Sequence, residues 1–303
     1  MSPLIEAISG TGARVEASVP LHAHTTWRVG GPADYMAWVD SAGVLAEVLT
    51  VLHGRGVGSM VLGNGSNVLV SDRGYRGVVL RLSGELADLS VDGERVIAGG
   101  GAGLRAAVEA AAKAGLTGLE FAFGIPGTVG GAVMTNAGAF SSSVSECLLS
   151  VRTLAAGESR TRERFEAGYR EALVPNGEVV VATVFALARD SAAGVRARMA
   201  ERASARRASQ PGGATAGSVF KNPEGDHAGR LIDLCGLKGR REGGARISEV
   251  HANFIVNDGS ASASDIRTLM LLAAEEVFQR FGVRLEPEVS LVGFEGLETE
   301  WWD

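Results

Sequence analysis

Residues 121–140 read Phe-Ala-Phe-Gly-Ile-Pro-Gly-Thr-Val-Gly-Gly-Ala-Val-Met-Thr-Asn-Ala-Gly-Ala-Phe. The stretch carries too much glycine for a buried strand, because glycine loses more backbone freedom on ordering than any other residue and has no side chain to pack. It is too apolar for a solvated loop. The chain must therefore hold irregular, backbone-rich structure against a core. Gly124 and Gly127 bracket Pro126, which stiffens the approach. Thr128, Gly130 and Gly131 continue with donor-bearing backbone free of bulky side chains, an arrangement suited to an anion, as at a helix N-terminus.

A second glycine loop, Gly63-Asn64-Gly65-Ser66-Asn67, lies between the apolar runs Met60-Val61-Leu62 and Val68-Leu69-Val70. Taken alone it reads first as a hairpin turn. Its glycines also permit the positive φ at which successive N–H groups converge on an anion, with Ser and Asn adding side-chain donors. Two such loops in one lobe suit a pyrophosphate. Neither matches G-x-x-x-x-G-K-[ST], nor a G-x-G-x-x-G opening a βαβ unit, which disfavours a P-loop NTPase and a Rossmann dehydrogenase.

The third feature is Gly217-Ser218-Val219-Phe220-Lys221-Asn222-Pro223, with a hydroxyl, an ammonium and a carboxamide inside five residues. Lys221 is one of three lysines among 29 basic residues, so a compact ammonium stands where the chain usually writes a planar guanidinium. The plain alternative is a polar turn before an apolar pair.

Along the chain, residues 1–20 read as a helical or irregular lead. A strand is predicted from Tyr35 to Val39, then a helix capped by Ser41 that ends at Gly54 and Gly56. Short strands follow near residues 60–62, 68–70, 78–82, 86–91 and 96–98, and a helix over residues 104–114. Residues 148–154 and 179–187 read as strands. Residues 191–209 form an arginine-rich helix with little apolar face, fit to link two domains. A helix over residues 226–234, a strand over 253–256, a helix over 264–281 and an extended run over 285–289 complete the chain. The domains read as a lead (1–20), a first domain (21–190) and a second (191–303).

The net charge of −6 disfavours a general nucleic-acid surface. Cys147 and Cys235 are isolated, without zinc spacing, and read as free thiols in a reducing compartment. No metal site is expected. There is no leader pattern and no run of about 18 apolar residues, so membrane insertion is not expected and a cytoplasmic location is.

Taken together, the stretches 26–34, 63–67, 124–138, Tyr169-Arg170, 217–223, 228–232, 236–239, 251–257 and 285–289 resemble the UDP-N-acetylenolpyruvoylglucosamine reductase (MurB) family, in order over most of the chain. Length and loop content are similar to the shorter, type II branch, which lacks the substrate-covering tyrosine loop. The resemblance implies an α+β fold. A two-lobed FAD-binding lobe of the PCMH/vanillyl-alcohol-oxidase type, with a split N-terminal α/β subdomain and an antiparallel-sheet subdomain, precedes an α+β substrate-binding domain. It implies non-covalent FAD, NADPH as co-substrate and UDP-N-acetylglucosamine enolpyruvate as substrate, reduced to UDP-N-acetylmuramate for peptidoglycan. A monomer is expected.

On this resemblance, Gly63, Asn64, Gly65, Ser66, Asn67, Gly124, Pro126, Gly127, Thr128, Gly130, Gly131, Ala137 and Gly138 hold the FAD. Reduction of an enol ether conjugated to a carboxylate needs a cation against the developing charge and a positioned proton donor. Arg170 takes the first role and Ser218 the second, with Lys221 or another cation expected to stabilise the Ser218 alkoxide. Glu288, after Pro287, holds or relays a proton if desolvation raises its pKa. Tyr169, Lys221 and Asn222 contact substrate, and His251 and Asn253 line the same lobe or are structural. The family pattern Tyr-Arg-x-Ser has Ala172 in place of Ser, and Ser141 replaces a glycine. The rivals are a covalent-flavin oxidase, though His22, His24 and His53 lie outside the glycine loops, and a flavoprotein without catalysis.

Overall fold

The structure is a computed structural model and describes residues 2–156, 158–165 and 168–294; residues 295–303 of the second predicted domain lie outside the described residues. The chain forms two compact units that interleave along the sequence. The first takes the chain up to Ala17, Tyr35–Gly63 and Gly77–Ala205; the second takes Ser18–Asp34, Asn64–Arg76 and the chain from Arg206.

The first helix, α1 (Pro3–Ser9), is capped by Ser2 and has proline in its first turn, where the missing N–H costs nothing. The predicted lead also contains a strand, Arg14–Pro20, whose exposed polar alternation hid it. Helix α2 (Ala42–Gly54) starts at the expected cap: Ser41 Oγ accepts from Val44 N–H at 3.3 Å. It buries Leu45, Val48, Leu49 and Leu52 at helical spacing. A four-stranded sheet runs in the order Arg14–Pro20, Pro32–Val39, Tyr75–Leu82, Ser59–Val61.

Helix α3 (Leu104–Lys113) presents Leu104, Ala107, Val108 and Ala111 to a core that also holds Phe121, Val129, Val133 and Phe185. Helix α4 (Val129–Met134) begins inside the glycine-rich stretch, capped by Thr128. A five-stranded antiparallel sheet runs in the order Glu158–Arg162, Leu148–Ala155, Val179–Ala186, Arg95–Gly99, Leu89–Asp92. Its first strand, of alternating charged and polar residues, carries no apolar signal. Helix α5 (Ala192–Ser209) is held by Ala and Arg propensity and buries only Val195 and Met199. It is tied down instead by Arg198, which pairs with buried Glu120 at 2.8 Å and with Asp190 at 2.5 Å.

The second unit holds helices α6 (Ala228–Leu234) and α7 (Ala263–Phe281). Helix α6 buries Ala228, Leu231 and Ile232. Helix α7 opens on a Ser262/Asp265 capping box and ends on Gly282 at φ 69°. Asp72 adds a second cap, accepting from Ala263 N–H at 2.8 Å and Ser264 N–H at 2.9 Å. A three-stranded sheet orders Arg241–Glu242, Ala245–Ile247 and Ile255–Asn257. Trp27, fully buried, donates its indole N–H to Ile255 O at 2.7 Å, and Asn257 Nδ2 donates to Trp27 O at 2.8 Å.

Two local expectations are corrected. The loop at 63–67 is not a hairpin: Ser59–Val61 pairs in parallel with Tyr75–Leu82, whereas Val68–Val70 pairs in parallel with Ser290–Val292. The run expected to be extended over 285–289 makes only an isolated bridge at Pro287, and the regular strand follows at Ser290–Val292. Pro287 is tolerated in that bridge because it occupies a non-hydrogen-bonded pair, flanked by Lys221 N–H to Glu286 O and Glu288 N–H to Val219 O. No described helix is long and apolar enough to cross a membrane, and both cysteines are free.

Candidate active site

In the second unit, the serine motif and the Glu286-Pro287-Glu288 segment lie side by side. Glu288 N–H donates to Val219 O at 2.8 Å, Lys221 N–H donates to Glu286 O at 2.9 Å, and Phe220 bridges Pro287 in antiparallel sense. Ser218 and Glu288, far apart in sequence, are thereby fixed on adjacent segments. On its other side the motif is gripped by Asn253, whose buried carboxamide accepts from Phe220 N–H at 3.0 Å and donates to Phe220 O at 2.8 Å. Val219 N–H donates to Asn253 O at 2.9 Å.

The side chains around Ser218 divide their work. Lys221 Nζ pairs with Glu286 at 3.2 Å, an exposed carboxylate. The pair reaches across the ladder that joins the two segments. Asn222 Oδ1 accepts from Ala228 N–H at 3.1 Å and so caps α6. His251 Nδ1 accepts from Asn253 N–H at 3.2 Å, and burial, with Lys238 and His227 adding to it, lowers its pKa. A neutral imidazole that accepts a backbone bond is a structural part of the Asn253 turn.

Two residues of the first glycine loop belong to the same framework. Asn67 Nδ2 donates to Glu288 O at 3.0 Å, and Ser290 N–H donates to Asn67 O at 3.0 Å. Gly65 sits at φ 62°, and a Cβ there would stand 2.2 Å from His24 O. Glycine is the only residue that fits.

In the first unit, Gly63 meets the second glycine loop: a Cβ on Gly63 would lie 2.7 Å from Thr128 Oγ1. Residues 127–130 are pinned to the run at 100–104. Leu104 N–H donates to Gly127 O at 3.1 Å, and Val129 and Gly130 N–H donate to Ala102 O and Gly100 O, each at 2.8 Å. Gly131 N–H donates to Thr128 Oγ1 at 3.3 Å. These three donors are engaged, which leaves anion contact to the earlier half of the loop. The N–H groups of Gly63 and Gly65 meet no acceptor among the described residues. Glycine N–H groups without a protein acceptor fit a diphosphate.

Arg170 lies in the first unit. Its backbone is left-handed at φ 57°, which costs about 1–2 kcal/mol for a residue with a Cβ. The guanidinium donates to Gly138 O at 2.7 Å and Asn136 O at 3.3 Å, beside the ring of the exposed Tyr169 at 5.2 Å. A Cβ on Gly138 would stand 2.9 Å from Arg170 Nη1. Asn136 is buried and ties the stretch together, accepting from Ser145 N–H and donating to Gly168 O, each at 3.1 Å. Ala137 stands between these two anchored residues.

Sequence reasoning missed Arg81. It donates through Nη1 to Leu62 O at 3.1 Å and to Gly63 O, the carbonyls that open the first glycine loop. Among so many arginines nothing in the sequence marked it out.

Comparison with known proteins places this geometry. Residues 33–162 match the FAD binding domain family, and residues 209–292 match the UDP-N-acetylenolpyruvoylglucosamine reductase, C-terminal domain family. The structure of Physcomitrella patens BBE-like 1 is 20 % identical with a TM-score of 0.50, over 62 % of this chain and 45 % of that one, a likeness of fold alone. The chain is thus a flavoprotein of the α+β, PCMH/vanillyl-alcohol-oxidase type. UDP-N-acetylenolpyruvoylglucosamine reductase 2 of Symbiobacterium thermophilum is 44 % identical over 97 % of this chain and 98 % of its own length. The reductase of Agathobacter rectalis is 40 % identical over 90 % of this chain and 92 % of its own. The crystal structure of the reductase (MurB) from Thermus caldophilus has 39 % identity and a TM-score of 0.82, over 92 % of this chain and 99 % of that one. The chain belongs to the UDP-N-acetylenolpyruvoylglucosamine reductase family.

Proposed function

We propose that this protein uses NADPH and FAD to reduce UDP-N-acetylglucosamine enolpyruvate to UDP-N-acetylmuramate, a step of peptidoglycan precursor synthesis. The observation that carries the reading is the 2.8 Å bond from Glu288 N–H to Val219 O, which sets a hydroxyl and a carboxyl on neighbouring segments. Proton delivery needs such a pair. Bound FAD supplies the hydride, taken from NADPH, that reaches C3 of the enolpyruvyl group.

The chain's own residues handle charge and proton. Arg170 stands against the substrate carboxylate as it gains electron density, its guanidinium oriented by the carbonyls of Asn136 and Gly138. Ser218 gives its proton to C2, and Glu288 holds or relays the proton that restores it. Tyr169, Lys221 and Asn222 contact the substrate.

FAD would be held by Gly63, Asn64, Gly65, Ser66, Asn67, Gly124, Pro126, Gly127, Thr128, Gly130, Gly131, Ala137 and Gly138, with Gly130 and Gly131 allowing close approach rather than donating, since their N–H groups are engaged. In linear terms, residues 21–190 serve the cofactor and 191–303 the substrate. A cytoplasmic monomer suits a nucleotide-sugar substrate and NADPH.

The test is direct. The purified protein should show the absorbance of non-covalent FAD and oxidise NADPH only when the enolpyruvyl sugar nucleotide is present. Flavin without substrate-dependent turnover would sink the reading and leave a flavoprotein of other purpose.

A further inference from the structure

Arg81, on the strand Tyr75–Leu82, is a half-buried cation. No carboxylate among the described residues lies within ion-pair distance of it, and burial lowers its pKa. A partly desolvated guanidinium in that state is costly unless an anion stands nearby. Its Nη1 is spent on the carbonyls of Leu62 and Gly63.

The two carbonyls fix more than themselves. In a trans peptide the C=O and the N–H of the same unit point in opposite directions. Holding Leu62 O toward Arg81 turns Gly63 N–H away from it, and holding Gly63 O does the same for Asn64 N–H. Gly63 N–H, so turned, meets no acceptor among the described residues. One side chain therefore removes two negative dipole ends from the start of the loop and leaves Gly63 N–H turned away from it, while adding a full positive charge behind.

We propose that Arg81 is a positioning residue for the cofactor: it orients the first glycine loop through the Leu62 and Gly63 carbonyls and biases that loop toward a diphosphate. The proposal rests on the reading of residues 63–67 as the diphosphate cradle.

The full-length protein, stripped of flavin, is titrated with FAD and with riboflavin, which has the ring but no phosphate, and binding is read by flavin fluorescence. Arg81→Met should weaken FAD about tenfold, the scale of one charge-assisted interaction, and leave riboflavin within about twofold. Arg81→Lys keeps the charge but not the fork, and should retain part of the preference for FAD, more at low salt than at high. Equal weakening of both ligands, or of neither, overturns the proposal while leaving the cofactor reading intact. If Arg81→Met does not fold, Arg81→Lys decides alone: an unchanged FAD-to-riboflavin ratio overturns it. A wild-type chain that takes up riboflavin as tightly as FAD removes the diphosphate cradle itself, and the proposal with it.

Discussion

The carboxamide of Asn253 closes on the Phe220 peptide from both sides, accepting its N–H at 3.0 Å and donating to its carbonyl at 2.8 Å. On the other edge of the same residues runs the ladder that Val219 and Lys221 make with residues 286–288. Asn253→Ala leaves two buried backbone groups without partners, a loss of about 2–4 kcal/mol. Urea denaturation should show it as a lowered midpoint with an unchanged slope. A variant within about 0.5 kcal/mol of wild type would mean that the grip is not needed.

Ser218→Ala separates the two half-reactions. Flavin reduction by NADPH should persist, while reoxidation by the enolpyruvyl substrate falls by about 10²–10⁴, the usual scale of a lost general acid. Stopped-flow absorbance of the flavin reads both phases. If reoxidation keeps its rate, the proton has another source.

Gly138→Ala probes Arg170 without touching it. The added Cβ would lie 2.5 Å from Ser142 O and 2.9 Å from Arg170 Nη1, so both the backbone at Ser142 and the guanidinium must shift. The substrate half-reaction should slow by on the order of 10²-fold, as when a donor to a developing oxyanion is lost. Arg170→Met should give a similar loss, and the double variant little more than either alone. Additive losses would place the two residues in separate roles.

The Glu178–Arg162 pair predicts a pH effect in the five-stranded sheet. Glu178 is almost fully buried and meets Arg162 at 2.6 and 2.7 Å, with Thr153 as a third donor. The hydrogen bond from Arg162, and then that from Thr153, outweigh burial and hold the Glu178 carboxyl below its usual range. Its folded pKa being depressed, it stabilises the fold above the unfolded carboxylate pKa of about 4.3, and that stability is lost as pH falls through the folded value. Glu178→Gln should cost about 2 kcal/mol at pH 7 and less at pH 3. Urea midpoints at the two pH values measure it, and an equal cost at both would count against the pair.

Much of the frame was legible because it obeys periodicity. Ser41 and the 45-48-49-52 spacing announced α2, and the exposed faces of α5 announced a helix with little to bury. What escaped had no local signal. The strand Glu158–Arg162 is polar throughout and is made by its pairing with Leu148–Ala155. The strand after Asn67 finds its partner at residues 290–292, and the strand before Gly63 finds its own at residues 78–80, so the two belong to different sheets. In the site, Ser218 and Glu288 were found by pattern, but their adjacency is a tertiary fact. Lys221 drew notice by rarity, yet its partner is Glu286; Arg81 drew none because arginine is everywhere in this chain.

Trp27 has a consequence for the order of synthesis. Its indole shares a core with residues from 216 onward, and its bond to Ile255 cannot form until the ribosome has released that strand. The early segments of the second unit must therefore wait, unsatisfied, while most of the chain emerges. Residues from 206 onward, expressed alone, would lack their largest buried ring. The protein is thus cotranslationally committed to finishing its beginning last.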